Sequence, residues 1–552
     1  MTPEELAVKI KQSLESLIST KKLEINQIPE IKIERPKSKD HGDYACNIAL
    51  LVAKPAGVNP QVVAKLLKEE LSQDVAIKKI DIAGPGFLNF TIEAGSLGEL
   101  AQTIIEQGKL YGHTETLKNQ SINIEFISAN PTGPLHLGHT RWAAVGDAIA
   151  RVLEANGAKV TREFYINDRG AQLDKFGESI WAVANNSEIP ENGYHGAYIK
   201  DLANEIVKEN PEILKQSKET QVEQFREIGY KKQLKQQQDV LADFQTVFDV
   251  WYSERSLHSS GAVEKGLAKL KQHGHVFEKD GAIWLRTTDF FDDKDRVLVK
   301  ADGEYTYFAS DTAYYVDKRS RGFDLNIYLL GADHHGYVNR LRAVAACAGD
   351  DPDKNIEVLI GQLVKMFKNG QEVRLSKRAG NMITLEDLVE EVGVDAARYT
   401  LIRYPVDTSL TLEIDLLTSH TNDNPVFYVQ YAHARISSVL KSGLEKGIDW
   451  KVNTFNPAVL TSIQETELLT ALSQFPRIVT NAALLRQPHR VARYLEELAN
   501  AYHSFYAACR VLPLADEIVT DVTHARLMLC DATRQVVANG LDLLGVSAPE
   551  RM

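Results

Sequence analysis

Two histidines, His136 and His139, are separated only by Leu137 and Gly138 and close the run Ala129-Asn130-Pro131-Thr132-Gly133-Pro134-Leu135. The apolar stretch Ser121-Ile122-Asn123-Ile124-Glu125-Phe126-Ile127 precedes them, and the Ala-rich stretch Trp142-Ala143-Ala144-Val145-Gly146-Asp147-Ala148-Ile149-Ala150 follows. Imidazoles at a strand-to-helix turn suit chemistry on a nucleotide phosphate, because free N–H groups and the helix dipole attract anions there. In open α/β sheets, ligands gather outside the carboxyl ends of strands. Gly138 removes a side chain where a flat ring can press on the backbone. The plain alternative is a Gly/Pro turn with two surface histidines. A second segment, Glu372-Val373-Arg374-Leu375-Ser376-Lys377-Arg378-Ala379-Gly380-Asn381, is basic and carries a glycine hinge. A lysine closing from it over a triphosphate would stabilise the leaving pyrophosphate as charge develops. Taken alone, it also reads as an ordinary basic surface loop.

The elements that must position these residues follow from pattern. Residues 1–110 mix helices (Glu5 to Leu17, Pro60 to Leu71) with short strands such as Ile31-Lys32-Ile33 and Phe87-Leu88-Asn89-Phe90-Thr91, a small α+β module. Tyr111 to Asn119 reads as a polar connector. From 118 to 410, strands at Ile122–Ile127, Val160–Ile166, Ile327–Leu330 and Val358–Ile360 alternate with helical stretches. That alternation predicts a Rossmann-type α/β domain with a parallel sheet. A polar helical insertion is expected over about 172–270, with its run Lys231-Lys232-Gln233-Leu234-Lys235-Gln236-Gln237-Gln238 as a solvated helix face. From 412 to 552 a helical period takes over, with Val491, Leu495, Leu498, Tyr502, Phe505 and Cys509 on one stripe, an all-α bundle.

At 552 residues the chain needs about three or four domains. Its composition, 44% hydrophobic and 25% charged, is that of a soluble globular protein with no membrane span expected. The four scattered cysteines, Cys46, Cys347, Cys509 and Cys530, form no CxxC pair, so neither zinc nor a disulfide framework is expected. The start, Met1-Thr2-Pro3-Glu4-Glu5-Leu6, lacks a secretory pattern, and the expected compartment is the cytoplasm. A net charge of -12 argues against indiscriminate nucleic-acid binding but leaves room for a specific folded RNA.

Taken together, His-Leu-Gly-His and Arg-Leu-Ser-Lys-Arg resemble the two motifs of class I aminoacyl-tRNA synthetases. The resemblance implies that His136 and His139 contact ATP phosphates, that Gly138 and Ser376 share that nucleotide site, and that Lys377 completes it. The family motif usually begins Lys-Met; here Arg374 and Leu375 stand there, which leaves the role of the first basic residue open. A guanidinium substrate would need carboxylates for its fork of donors and a planar neighbour. Glu125 interrupts an apolar strand one step from the phosphate loop, with an exposed strand edge as the rival reading. Tyr307 and Asp311, four apart, are neighbours if that segment is helical, with an ordinary helix face as the rival.

A closer resemblance, to bacterial-type arginyl-tRNA synthetases, runs end to end. It is carried by Glu125-Phe126-Ile127-Ser128-Ala129-Asn130-Pro131, Trp251-Tyr252-Ser253-Glu254-Arg255-Ser256, Gly331-Ala332-Asp333-His334-His335-Gly336-Tyr337, Gly84-Pro85-Gly86-Phe87-Leu88-Asn89-Phe90, Tyr428-Val429-Gln430-Tyr431-Ala432-His433-Ala434-Arg435 and the closing Leu543 to Met552. It implies that Tyr307, Asp311 and Glu254 hold the guanidinium, that Asn130, helped by His334, holds the α-amino or carboxylate end, and that Glu125 is an arginine-site residue of unassigned role. Family members without the late lysine carry one before the first motif, and Pro131-Thr132-Gly133-Pro134 has none, consistent with Lys377 doing that work.

The same resemblance implies that the N-terminal module meets the D-loop corner of the tRNA through Phe87 and Asn89; a buried strand Phe with a turn-capping Asn is the competing reading. It makes the C-terminal bundle an anticodon-binding domain with Tyr428, Arg435, Tyr506 and Met552 as candidates, core packing being the rival for each aromatic. The implied activity is arginine–tRNA ligation: L-arginine and ATP give arginyl-adenylate and pyrophosphate, and the arginyl group passes to tRNA(Arg), with arginine activation requiring bound tRNA. ATP is a substrate accompanied by Mg2+, no protein-held metal is expected, and the working form is a cytoplasmic monomer. The rivals are a small-molecule nucleotidyltransferase, another class I synthetase and a catalytically silent tRNA-binding paralogue. The helical module, the missing zinc and editing signals, and intact His136, His139 and Lys377 argue against them in turn.

Overall fold

The computed structural model describes residues 3–552 other than 35, 37–40, 75, 93, 374–382, 452–458 and 515–516. In the N-terminal module, helices α1 (Pro3–Ser19), α2 (Ile48–Ala56) and α3 (Pro60–Leu71) cover an antiparallel sheet of β1 (Ile33–Glu34), β2 (Tyr44–Cys46), β3 (Ile77–Ala83) and β4 (Phe87–Ile92), ordered β1-β2-β4-β3. Asn59 caps α3 by accepting from the Gln61 N–H, and Pro60 sits at the first helical position, where a missing N–H costs nothing. The strand expected at Ile31 begins later, since among the described residues Ile33 and Glu34 pair with β2. Helix α4 (Ala94–Gln107) leads into the stretch expected as a polar connector. That stretch is anchored instead: Tyr111 is 4% exposed, stacks on Phe475 at 6.1 Å and donates from its hydroxyl to the Leu472 carbonyl.

The central region is built on β5 (Ser121–Glu125), α5 (Leu137–Ala155) and β6 (Lys159–Ile166). The chain then leaves the sheet through α6 (Ala171–Ala184), α7 (Ala197–Glu209) and α8 (Lys218–Asp243), and returns as β7 (Val250–Ser253). Next come α9 (Glu254–Ser259), α10 (Ala262–Gln272), the antiparallel β8 (Val276–Lys279), β9 (Ala282–Leu285) and β10 (Arg296–Val299), and α11 (Tyr307–Ser320). The sheet is completed by β11 (Leu325–Gly331), α12 (Val338–Cys347) and β12 (Ile356–Gly361). Its five strands are all parallel in the order β12-β11-β5-β6-β7. The stretch 172–270, expected to be one helical insertion, therefore contains a sheet strand: β7 pairs with β6 from Glu163↔Val250 to Ile166↔Ser253. A half-buried four-residue strand at one edge carries too few residues to show a period of its own.

The Gln-rich run on α8 also differs from a simple solvated face. Gln233 and Gln237 are 0% and 1% exposed, while Lys232 reaches out to Glu205 and Glu209. After β13 (Val364–Lys368) and β14 (Gln371–Val373), α13 (Leu385–Val392) and α14 (Val394–Ile402) lead to β15 (Leu410–Glu413), which pairs parallel with β13. The short α15 (Ile414–Leu417) precedes a bundle of α16 (Pro425–Glu445), α17 (Ile463–Ser473), α18 (Phe475–Leu484), α19 (His489–Ala508) and α20 (Asp521–Leu543). The α19 stripe is buried as expected: Val491, Leu495, Leu498, Tyr502 and Phe505 are 0% exposed.

Helix α5 lies between the sheet and this bundle and is buried on all sides from Thr140 to Ala150. A Cβ on Gly146 would stand 2.5 Å from the Phe126 ring, so glycine lets the helix press on the strand end. Arg398, wholly buried, ties the layers: it donates to Asp147 on α5 (2.6 Å), to the carbonyls of Phe244 and Leu544, and to Thr246. Strand order reverses at β5, with β6 and β7 on one side and β11 and β12 on the other. A crevice at that switch point is where a ligand is expected in a sheet of this kind.

Candidate active site

At the carboxyl end of β5 the backbone is strained. Ile127 and Ser128 have φ of 71° and 46°, a left-handed region costly for a β-branched residue, of order 1–2 kcal/mol. The chain then runs through Asn130 to α5, which His136 caps. The Gly138 N–H donates to His136 Nδ1 (3.1 Å), and the His136 N–H donates to His139 Nδ1 (3.3 Å). With each Nδ1 accepting, the ring proton of each histidine stands on Nε2. The two rings stack with centroids 3.7 Å apart. Burial lowers the His136 pKa, and burial together with His136 lowers that of His139 to about 3, so both imidazoles are neutral donors. The flat ring that Gly138 accommodates is that of His136, whose Cε1 would stand 3.0 Å from a Cβ there.

The chain just after the second segment meets the first motif. Leu137 N–H donates to the Ile383 carbonyl (2.9 Å) and Leu385 N–H to the Leu135 carbonyl (2.8 Å). A cleft of about 340 Å³ is lined by His136, Gly138, Met366, Val373 and Ile383. Ser376 and Lys377 lie outside the described residues, but Val373 before them and Ile383 after them both line this cleft. Arg141, 2% exposed, joins α5 to the base of the small sheet by donating to the carbonyls of Thr408 (2.6 Å) and Pro405 (2.7 Å).

On the other side of β5 stands a cluster of acids around Tyr165, whose phenol is held protonated by burial and then by Glu254, Asp311, Glu125 and Asp168. Tyr307 and Asp311 lie on α11, as their spacing predicts, with Thr306 capping the helix. Asp311 accepts from the Tyr337 hydroxyl, and burial raises its pKa to about 6. Glu254, 6% exposed, accepts from Tyr165; burial first, then Asp168 and Asp311, raises its pKa to about 7. Asp168 is already satisfied by Ser253, Tyr230 and the Arg255 N–H. Tyr307 is 80% exposed, with its hydroxyl 3.7 Å from the place of a Cβ on Gly170 at the entrance to α6. Asn130 bonds Gln172 (2.7 Å) and Asn167 (3.0 Å), and His334 stands edge-on to Tyr337.

Glu125 is not on an exposed edge. It is 8% exposed and accepts from Ser128 (3.0 Å) and from the fully buried Lys318, whose ammonium sits over the Tyr314 and Tyr328 rings at 4.5 and 4.2 Å. Glu163 receives Arg321 (2.6 Å), Asn123 (2.9 Å) and Tyr314 beside it. Lys318 and Tyr165 escaped the sequence reading because nothing in their local pattern marks them, and Tyr337, which closes one of the resembling segments, was given no role there. No cluster of three or more His, Cys, Asp or Glu able to hold a metal occurs among the described residues.

In the flanking domains, Phe87 is 41% exposed at the end of β4, whereas Asn89 is 7% exposed between β2 and β3. On the bundle, Arg435 lies over Tyr506 at 4.5 Å and over Tyr431 at 5.7 Å, and Tyr428 packs on His503 at 5.2 Å, one aromatic–cation stack across α16 and α19. Met552, 57% exposed, lines a separate cleft of about 590 Å³ with Phe427 and Gln430 at the start of α16.

Three family descriptions match in succession: "Arginyl tRNA synthetase N terminal domain" over residues 4–92, "tRNA synthetases class I (R), catalytic domain" over 99–404 and "DALR anticodon binding domain" over 429–552. A curated arginine–tRNA ligase of Renibacterium salmoninarum is 54% identical, and one of Paenarthrobacter aurescens 53%, each match covering 100% of both chains. The solved arginyl-tRNA synthetase of Thermus thermophilus shares the fold, with a TM-score of 0.77 at 22% identity over 100% of both chains.

Proposed function

Because the chain belongs to the arginyl-tRNA synthetase family, and its activity is arginine–tRNA ligation with ATP as substrate, we propose the following division of labour at the switch point. Asp311 and Glu254 receive the guanidinium, with the Tyr307 ring closing over it from the entrance. The observation that carries this is that buried Glu254 and half-buried Asp311 stand together around Tyr165 with no cation within hydrogen-bond reach among the described residues, Arg169 and Arg340 acting on them only at longer range. A bound guanidinium would supply the missing charge. Asn130, helped by His334, takes the α-amino or carboxylate end. Glu125 serves from beneath by balancing Lys318 and holding Ser128, rather than by touching the substrate.

The arginine carboxylate oxygen attacks the α-phosphorus of ATP; the bond to the bridging oxygen breaks and pyrophosphate leaves. Neutral His136 and His139, whose Nε2 protons have no partner among the described residues, donate to phosphate oxygens as negative charge shifts onto them. By resemblance, Ser376 and Lys377 complete the phosphate side. A hydroxyl of the terminal ribose of tRNA(Arg) then attacks the adenylate carbonyl and AMP departs. The site acts by positioning and charge stabilisation, with no covalent enzyme intermediate. Mg2+ would arrive with the ATP phosphates. Phe87 at the N-terminal edge and the Arg435–Tyr506–Tyr428 stack are the proposed RNA contacts; aromatic and cationic surfaces of this kind stack on unpaired bases. A nucleotidyltransferase or a silent paralogue gains no support from relatives matched over their full length.

Charging assays across the amino acids test the reading. Wild type is expected to charge arginine alone. Asp311→Asn is expected to raise the arginine KM by on the order of 100-fold with the ATP KM unchanged. Charging of lysine, or an unchanged arginine KM in the variant, would overturn it.

A further inference from the structure

The stretch between β5 and α5 must present Asn130 to one side of the crevice and His136 to the other. Its own backbone is poorly suited to hold still: Ile127 and Ser128 are left-handed, and Pro131 and Pro134 have no N–H to give. Three of its carbonyls are held instead by side chains from the helices inserted between β6 and β7. Gln237 Nε2 donates to the carbonyls of Asn130 (3.0 Å) and Gly133 (2.8 Å), and the Tyr198 hydroxyl donates to that of Thr132 (3.2 Å). Tyr198 also packs on the turn, its hydroxyl 3.5 Å from the place of a Cβ on Gly133.

Gln237 is 1% exposed, and its Oε1 is buried with no hydrogen-bond partner among the described residues. An unsatisfied buried acceptor costs about 1–3 kcal/mol, so an apolar side chain would serve helix packing better. What glutamine supplies and leucine lacks is an amide nitrogen with two donors set at the spacing of two carbonyls.

We propose that Gln237 is a positioning residue for aminoacyl transfer: together with Tyr198 it pins the Asn130–Gly133 turn, and so places Asn130 against the amino acid and His136 against the phosphates. The proposal makes the inserted helices a brace for the first signature motif, and it rests on the roles given above to Asn130 and His136. Misplacement of a reacting group by about 1 Å costs on the order of 100-fold in rate.

The test is arginine-dependent ATP–pyrophosphate exchange and aminoacylation at saturating tRNA with Gln237→Leu, Gln237→Glu, Tyr198→Phe and, as a control on the site itself, Asn130→Ala. Gln237→Leu and Gln237→Glu are expected to lower kcat/KM for arginine by about 10- to 100-fold, with a reduced kcat, an unchanged tRNA KM and a retained unfolding transition. Tyr198→Phe loses one hydroxyl and no packing, and is expected to lower the same ratio by roughly 3-fold, non-additively with Gln237→Leu. A kcat/KM within about 2-fold of wild type for Gln237→Leu, or a tRNA KM that rises in step with that for arginine, would overturn the proposal. Should Gln237→Leu fail to fold, unchanged kinetics in Tyr198→Phe would do so. If Asn130→Ala leaves the arginine KM untouched, the site assignment itself falls; if it raises that KM while the Gln237 variants do not, only the brace falls.

Discussion

Lowering the pH should strip this protein of arginine before it harms anything else at the site. Burial raises Glu254 to about 7 and Asp311 to about 6. If the guanidinium binds only when both are ionised, about 90% of the protein is competent at pH 8 and about 5% at pH 6, from the two titrations taken independently. The arginine KM should therefore rise about 20-fold between pH 8 and pH 6, and steepen below. Burial holds His136 and His139 below their ordinary range, so the ATP KM should change far less over this window. The linked protons give a second readout. At pH 6.5, binding should release about one proton per arginine, and at pH 8 almost none. Calorimetry of tRNA-saturated protein in two buffers of different ionisation enthalpy measures that number. The stability arm has a definite sign. Glu254 is raised in the folded state, so the native form binds its proton more tightly, and stability is lost as pH rises from about 4.5 to about 7. That rise costs about 3 kcal/mol of stability above pH 7. Glu254→Gln should accordingly raise the unfolding midpoint at pH 8, lose most of that gain by pH 5, and bind arginine poorly throughout. A flat arginine KM from pH 8 to 6, with no proton release at pH 6.5, would refute the reasoning.

Two further outcomes follow from buried charge and close packing. Lys318→Met should destabilise the protein by about 3–5 kcal/mol, seen as a lower denaturation midpoint, because Glu125 is left buried without its cation. Gly545 has φ 63°, and a Cβ there would stand 2.3 Å from Arg398 Nη2. Gly545→Ala should thus cost about 1–3 kcal/mol by chemical denaturation and loosen the bond from Arg398 to Asp147 on α5.

Much of this molecule is local and so was legible in the chain. The helical period of Val491 to Cys509 returned as α19, the spacing of Tyr307 and Asp311 returned on α11, and the apolar runs at Ile122, Val160, Ile327 and Val358 returned as parallel strands. The histidine motif at a strand-to-helix turn needed only its neighbours to be recognised, since capping and helix polarity act within a turn of backbone. What the chain alone did not reveal depends on residues distant in sequence. Glu125 reads either as an arginine-site carboxylate or as an exposed strand edge until Lys318, 193 positions later, lies against it. Gln237 reads as a solvated face until its amide meets the carbonyls of Asn130 and Gly133, more than 100 positions earlier. The strand β7 disappears into a polar helical stretch until β6 supplies its hydrogen bonds. Sequence by itself determined the order of domains, the identity of the signature residues and the class of chemistry, because periodicity and side-chain type are written along the chain. Only tertiary structure decided which carboxylates are bonded to a buried cation and which stand around a tyrosine instead, because desolvation and hydrogen-bond satisfaction are set by whatever the fold brings within a few ångströms.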